Sequence, residues 1–86
     1  MGDLGEVIEI TSTTTYTGSG KLFWVNIHAT ANTTVVISDD STEKLSLYQA
    51  QNTSSLYTFM PSIRVKTSLV LTVSGTAKIT TCHNVS

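Results

Sequence analysis

Apolar and polar residues alternate with a period of two in short segments along most of this chain, and turn-forming residues separate the segments. Residues 63–66 (IRVK) show the pattern in its simplest form, because the apolar pair falls on one face of an extended chain and the basic pair on the other. No segment fits the apolar spacing of an amphipathic helix better than this alternation. The pattern therefore predicts an all-β protein with almost no helix.

About eight short strands follow from the positions of the turns. The predicted strands are residues 7–17, 21–29, 33–38, 44–51, 56–59, 63–66, 69–73 and 77–82. The acidic turn at residues 39–42 predicts a hairpin between its two flanking strands, and Pro61 marks an edge or a bend because proline cannot donate to a central ladder. Loops of two to four residues are typical of antiparallel hairpins. We expect a small antiparallel β-sandwich or a jelly-roll-like barrel.

The size of the chain allows one domain. Its 86 residues predict a single all-β domain over residues 1–86, with residues 1–5 flexible. Charged residues make up only 13%, so sixteen Thr and eleven Ser supply much of the polar surface. Cys82 is the single cysteine and rules out an intramolecular disulfide. The core must therefore be stable alone or gain stability from oligomerisation.

The charge balance and the N-terminal sequence limit the possible partners. A formal net charge of −1 gives no long-range attraction for nucleic acid or for an anionic membrane surface. No basic region followed by an apolar run of a secretory signal is present, and no stretch reaches the length of a membrane helix. We expect synthesis in the cytoplasm and no membrane or nucleic-acid partner. Weak self-repulsion permits self-association.

Cysteine and histidine give no catalytic or metal site in this sequence. Cys82 and His83 are adjacent, so on a strand they point to opposite faces and cannot form a dyad. We expect Cys82 to be a partly buried residue of the packing. His28 has no companions at ligand spacing.

The acidic residues are explained by turn formation. Asp39, Asp40 and Glu43 surround one turn, but they lack the spacing of a calcium loop. Aspartate at a turn is explained by side-chain bonding to nearby backbone amides. The sequence therefore predicts no catalytic residue, no metal and no cofactor, and the protein is expected not to be an enzyme.

Large apolar residues on both faces of several strands are the informative feature. A strand that is apolar on both sides is covered on both sides, and a domain without helices has only another subunit to provide the second cover. The alternative is that a twist or a bulge brings Trp24 and Tyr48 into a single core. The predicted oligomer-interface residues, assigned to faces opposite the main core, are Leu22, Trp24, Val36, Tyr48 and Val70.

Three segments resemble short virion-associated proteins of tailed bacteriophages, particularly marine phages. They are residues 20–27 (GKLFWVNI), 35–39 (VVISD) and 63–77 (IRVKTSLVLTVSGTA), and the resemblance extends over most of residues 7–82. It implies a β-sandwich or jelly-roll-like accessory component of a capsid, tail or fibre, made in the host cytoplasm and assembled into the virion. Its implied partners are copies of itself, for example in a trimer, and other virion proteins. On this reading Leu22, Trp24 and Tyr48 anchor the subunit contacts.

A second interpretation is a small carbohydrate- or ligand-binding β-sandwich module. In that case Trp24 or Tyr48 lies exposed and offers a platform on which a sugar stacks.

Overall fold

The computed structural model describes residues 6–85, and strands account for most of them. No helix occurs among these residues, so this part of the chain offers none that could span a membrane. Residues 1–5, expected to be flexible, lie outside the described residues. The strands are β1 (Glu6–Ile10), β2 (Thr14–Thr17), β3 (Gly20–Ala29), β4 (Thr33–Asp39), β5 (Thr42–Gln49), β6 (Thr53–Val65), β7 (Ser68–Ser74) and β8 (Ala77–His83).

The strands form two antiparallel four-stranded sheets, with the order β1-β8-β3-β6 in sheet A and β2-β7-β4-β5 in sheet B. The pairs β1 with β8, β2 with β7, β3 with β6 and β4 with β5 are all hydrogen-bonded, which is the pairing of one long hairpin folded over on itself. Two further pairs, β3 with β8 and β4 with β7, complete the sheets. This is the strand order of a jelly roll, and the predicted all-β sandwich is confirmed.

Connections of two or three residues join the strands at the two ends of the sandwich. At the first end, where β3 leads to β4 and β7 leads to β8, the amides of Thr30 and Ala31 donate to the carbonyl oxygen of Thr76 at 3.0 and 3.3 Å. At the second end, the amide of Gly18 donates to Thr67 O at 2.8 Å. These hydrogen bonds join neighbouring connections to one another at each end.

The core lies between the inner faces of the two sheets. Its buried apolar residues are Ile10, Leu22, Val25, Ile27, Ala29, Val35, Ile37, Leu47, Val65, Leu69, Leu71, Ala77, Ile79 and Val85. Near the second end the rings of Tyr16 and His83, from opposite sheets, lie 4.3 Å apart between centroids. The accessible surface of 4925 Å² matches the roughly 4900 Å² expected for a compact folded chain of this mass.

Eight strands are predicted and eight are found, but two of the predicted divisions are wrong. One predicted strand is two strands, and two predicted strands are one. The single strand predicted for residues 7–17 is two strands in different sheets, because the chain bends at residues 11–13. The two strands predicted on either side of Pro61 are one strand, β6, which carries an irregularity in its pairing there. Pro61 lies on an edge strand at this irregularity, as predicted.

A bulge in β3 changes the face on which Leu22 lies. Leu22 pairs with His83 and Trp24 with Cys82, so Phe23 is an extra residue on β3. The extra residue reverses the alternation, and Leu22 joins Val25 on the inner face with no exposed surface. The assignment of Leu22 to the face opposite the core is therefore wrong.

Candidate functional site

The five predicted interface residues do not share one surface. Leu22 lies in the core. Trp24 lies half-buried on the outer face of sheet A. Val36, Tyr48 and Val70 lie on the outer face of sheet B, opposite the inward-facing residues of their strands. An assembly that used all four outward-facing residues would have to contact both sides of the sandwich.

The outer face of sheet B is dominated by hydroxyl groups. Val36 is half-buried, with Ser46 beside it on β5 and Thr72 beside it on β7. Tyr48 is 61% exposed and pairs across the sheet with Thr34. Tyr48 and Val70 are diagonal neighbours of Val36, whereas the direct neighbours of Val36 are polar, so the apolar groups on this face meet only across diagonals.

The outer face of sheet A carries an apolar patch that is built on direct cross-strand neighbours. Val7, Cys82 and Trp24 are direct neighbours across β1, β8 and β3. Leu56 on β6 is diagonal to Trp24, because it pairs with Asn26 two residues along the same face. We call these four residues the outer patch. Val7 is 61% and Leu56 60% exposed, so apolar surface of this patch faces solvent.

Sequence reasoning identifies only Trp24 among the four outer-patch residues, because it assigns Cys82 to the packing and names neither Val7 nor Leu56 as an interface residue. Val7 was placed on a predicted strand with no face assigned, and Leu56 lies in a segment with apolar residues on both of its faces. The inward side of that segment is decided by Tyr57, whose hydroxyl donates to Gln49 Oε1 at 2.9 Å across the sandwich. This contact links β5 of sheet B to β6 of sheet A. No pattern of neighbouring residues in the sequence predicts this contact between the two sheets.

Among the residues that the structure describes, a cleft lies at each end of the sandwich, and neither of these two clefts is lined by Trp24 or Tyr48. The cleft at the second end of the sandwich has a volume of about 390 Å³, and we call it the basic cleft. The cleft at the first end has a volume of about 440 Å³. The residues of the basic cleft are Ser19, Gly20, Lys21, Arg64, Val65, Lys66 and Asn84. The residues of the other cleft are Thr11, His28, Thr30, Gly75, Thr76, Ala77 and Lys78.

The carboxylate of Asp39 holds the connection between β6 and β7. It accepts the backbone amides of Lys66 at 2.9 Å, Thr67 at 3.0 Å and Ser68 at 3.3 Å. Aspartate at this position was expected to bond amides close by in its own turn, whereas its partners lie 27 to 29 residues further along the chain. The side chain therefore fixes one wall of the basic cleft through Lys66.

These hydrogen bonds act on the ionisation of Asp39. The amides of Lys66 and Thr67 lower the pKa of this carboxyl from its ordinary value of 3.8; desolvation opposes them, and the amide of Ser68 and the charge of Lys44 add to the lowering. Near that pH the folded protein consequently binds fewer protons than the unfolded chain. Stability from this group is present above pH 3.8 and is lost as the pH falls through the lowered pKa.

We expect Asp39→Asn to remove this pH dependence. The variant replaces an anionic acceptor of three amides with a neutral group, so its denaturation midpoint at neutral pH should be lower than that of the wild type. Urea unfolding followed from neutral pH down to about pH 2 measures both effects. Asp40→Asn, at the exposed neighbouring residue, is the matched control. An equal acid sensitivity in Asp39→Asn and the wild type contradicts the assignment.

The catalytic and metal-binding candidates are not brought together. Cys82 pairs with Trp24 on the outer side of sheet A, whereas His83 faces inward opposite Leu22. Cys82 is a buried free thiol. Among residues 6–85 no group of three His, Cys, Asp or Glu side chains could hold a metal ion.

Comparison of the chain with protein-family models, with curated proteins and with solved structures finds no match.

Proposed function

We propose that this protein is a non-enzymatic structural component of a phage particle, in the capsid decoration, tail or fibre, and that it works by assembling with copies of itself. The observation that carries the assembly part is the outer patch, where Val7 and Leu56 are each about three-fifths exposed beside Trp24. The phage particle follows from the resemblance of three segments to virion-associated proteins. The jelly-roll strand order is compatible with both, since capsid domains use it.

A second copy of the chain is the occupant that fits the outer patch best. The formal net charge of −1 imposes little repulsion between copies. The molecule measures 38 × 26 × 20 Å along its principal axes, and its broad faces match the roughly 800 Å² per partner of a standard interface. Trp24 on this face belongs to the residue types that dominate binding energy at interfaces.

Analytical ultracentrifugation at micromolar concentration tests the assembly directly. We expect an oligomer for the wild-type protein and an increase of the dissociation constant by at least about tenfold for Leu56→Asp, because a charge would be buried without a partner. Ser46→Asp adds the same charge on the outer face of sheet B and should leave association unchanged. A wild-type protein that stays monomeric at these concentrations refutes the proposal.

The phage part of the proposal has its own test. We expect genes for capsid or tail proteins beside the gene for this chain, and the chain itself among the proteins of purified particles. If the protein forms an oligomer but its gene lies far from any gene for a particle protein, the assembly part of the proposal stands and the phage part is contradicted.

A carbohydrate-binding module is the alternative, and Tyr48 is the observation in its favour. Tyr48 is 61% exposed, and its cross-strand neighbour is Thr34. Sugars stack on exposed aromatic faces while hydroxyl groups bond to them. Tyr48 lies outside both clefts, however, and sugar sites are usually concave.

A further inference from the structure

Three of the five basic residues of this chain line one cleft. Lys21, Arg64 and Lys66 all border the basic cleft, whereas Lys44 and Lys78 lie elsewhere. Among the described residues that border it, none is acidic. Three basic side chains thus lie together in a protein with a net charge of −1, with the carboxylate of Asp39 bonded to the backbone amide of Lys66.

The pairing of two of these residues is unfavourable for the sheet. Lys21 on β3 and Arg64 on β6 are direct cross-strand neighbours, and both side chains are exposed. Like charges in this position destabilise a sheet. An anion bound between them would remove the repulsion.

Hydrogen bonds fix the backbone on both walls of the basic cleft. The amide of Lys21 donates to Asn84 Oδ1 at 2.6 Å, and the amide of Asn84 donates to the carbonyl oxygen of Lys21 at 3.0 Å. Gly20 permits this close approach, since a Cβ atom there would lie 2.6 Å from Asn84 Oδ1. On the other wall Asp39 holds the amide of Lys66. The charged side chains therefore start from anchored positions, which reduces the ordering cost of binding.

We propose that the basic cleft binds a phosphate or sulfate ester group. The guanidinium group of Arg64 can donate two parallel hydrogen bonds to a tetrahedral oxyanion, the two lysines supply further charge, and Ser19 offers a hydroxyl donor. The volume of about 390 Å³ is at the lower end of the range for ligand pockets and leaves room for the organic group that carries the ester. This site goes beyond the proposed assembly and does not depend on it.

Titrations followed by amide NMR, with ionic strength held constant by chloride, test this site. The probes are inorganic phosphate, inorganic sulfate, dextran sulfate and neutral dextran. We expect phosphate and sulfate to shift the amides of Gly20, Lys21 and Lys66, with an apparent Kd in the millimolar range. A response to the inorganic ions identifies a free oxyanion as sufficient, and much tighter binding of dextran sulfate identifies a polymer-borne ester. Neutral dextran should cause no shift.

Charge-removing variants separate a site from general ion binding. Arg64→Gln and Lys66→Gln should each weaken binding by at least about tenfold, because each removes one or more charge-assisted hydrogen bonds. Lys44→Gln and Lys78→Gln remove the same charge outside the cleft and should bind as the wild type does. Equal weakening in all four variants, or shifts spread over the whole sheet, overturns the proposal. So does binding of a DNA oligonucleotide without any response to phosphate or sulfate. The same titration on Leu56→Asp should give the wild-type Kd, which keeps this result independent of assembly even though Arg64 lies on the outer face of sheet A.

Discussion

Replacement of Gly75 by alanine is expected to destabilise the fold by about 3 kcal/mol or more. A Cβ atom at this position would lie 2.5 Å from the carbonyl oxygen of Asn32 and 2.8 Å from the Cα atom of Thr33. Both are backbone atoms, so no side-chain rotation relieves the contact. The φ angle of Gly75 is 127°, a conformation that residues with a side chain rarely adopt.

The surroundings of Gly75 cannot move away cheaply. The hydroxyl of Thr33 shares its one hydrogen between the carbonyl oxygens of Ala31 at 2.8 Å and of Thr76 at 3.2 Å, and Thr33 itself is 1% exposed. Asn32 accepts the amide of Gln51 through its side chain at 2.9 Å. Displacement of this loop would therefore break hydrogen bonds at three connections of the first end.

Thermal and urea unfolding measure the effect. A loss of about 3 kcal/mol corresponds to a Tm lower by about 12 °C or more in a domain of this size. Gly18 has a φ angle of 132°, so Gly18→Ala imposes similar backbone strain and should cost only about 1 to 2 kcal/mol. If the free energy of unfolding of Gly75→Ala lies within about 1 kcal/mol of the wild-type value, the loop moves to accommodate the Cβ atom and the prediction is wrong. If Gly75→Ala does not fold while Gly18→Ala does, the expected order of the two costs is met.

Much of the fold could be predicted because alternation is a local property. The hairpin across residues 39–42, the edge position of Pro61 and the exposure of Arg64 and Lys66 all follow from neighbouring residues and are confirmed. The split of residues 7–17 could not be predicted in this way. Its first half pairs with β8, 69 to 77 residues away, and its second half with β7, 51 to 57 residues away. A run of threonines is equally compatible with one strand or two.

The candidate site was harder to predict than the fold, because a surface is defined by strands that are distant in sequence. Val7, Trp24, Leu56 and Cys82 come from four strands, and only the sheet order β1-β8-β3-β6 makes them neighbours. The basic cleft has the same origin. Lys21 and Arg64 become neighbours through the pairing of β3 with β6, over a separation of more than forty residues.

Leu22 and Leu56 provide the sharpest test of which apolar residues hold the fold and which face a partner. Leu22→Ala should destabilise the folded chain by about 2 to 5 kcal/mol, because it leaves a cavity among core residues with no exposed surface. Leu56→Ala should change stability by no more than about 0.5 kcal/mol under dilute conditions, since 60% of this side chain is already exposed. The substitution is the same in both variants, so the difference measures the environment.

The two variants should show the opposite order in association. Leu56→Ala removes apolar area from the outer patch and should raise the dissociation constant, whereas Leu22→Ala should leave it unchanged among molecules that remain folded. Urea unfolding at low concentration gives the stability, and sedimentation of the folded proteins gives the association. Without the bulge in solution, Leu22 would lie on the outer face, and Leu22→Ala would cause only a small loss of stability. A mild Leu22→Ala that also dissociates the oligomer would therefore restore the simple alternation along β3 and contradict the bulge.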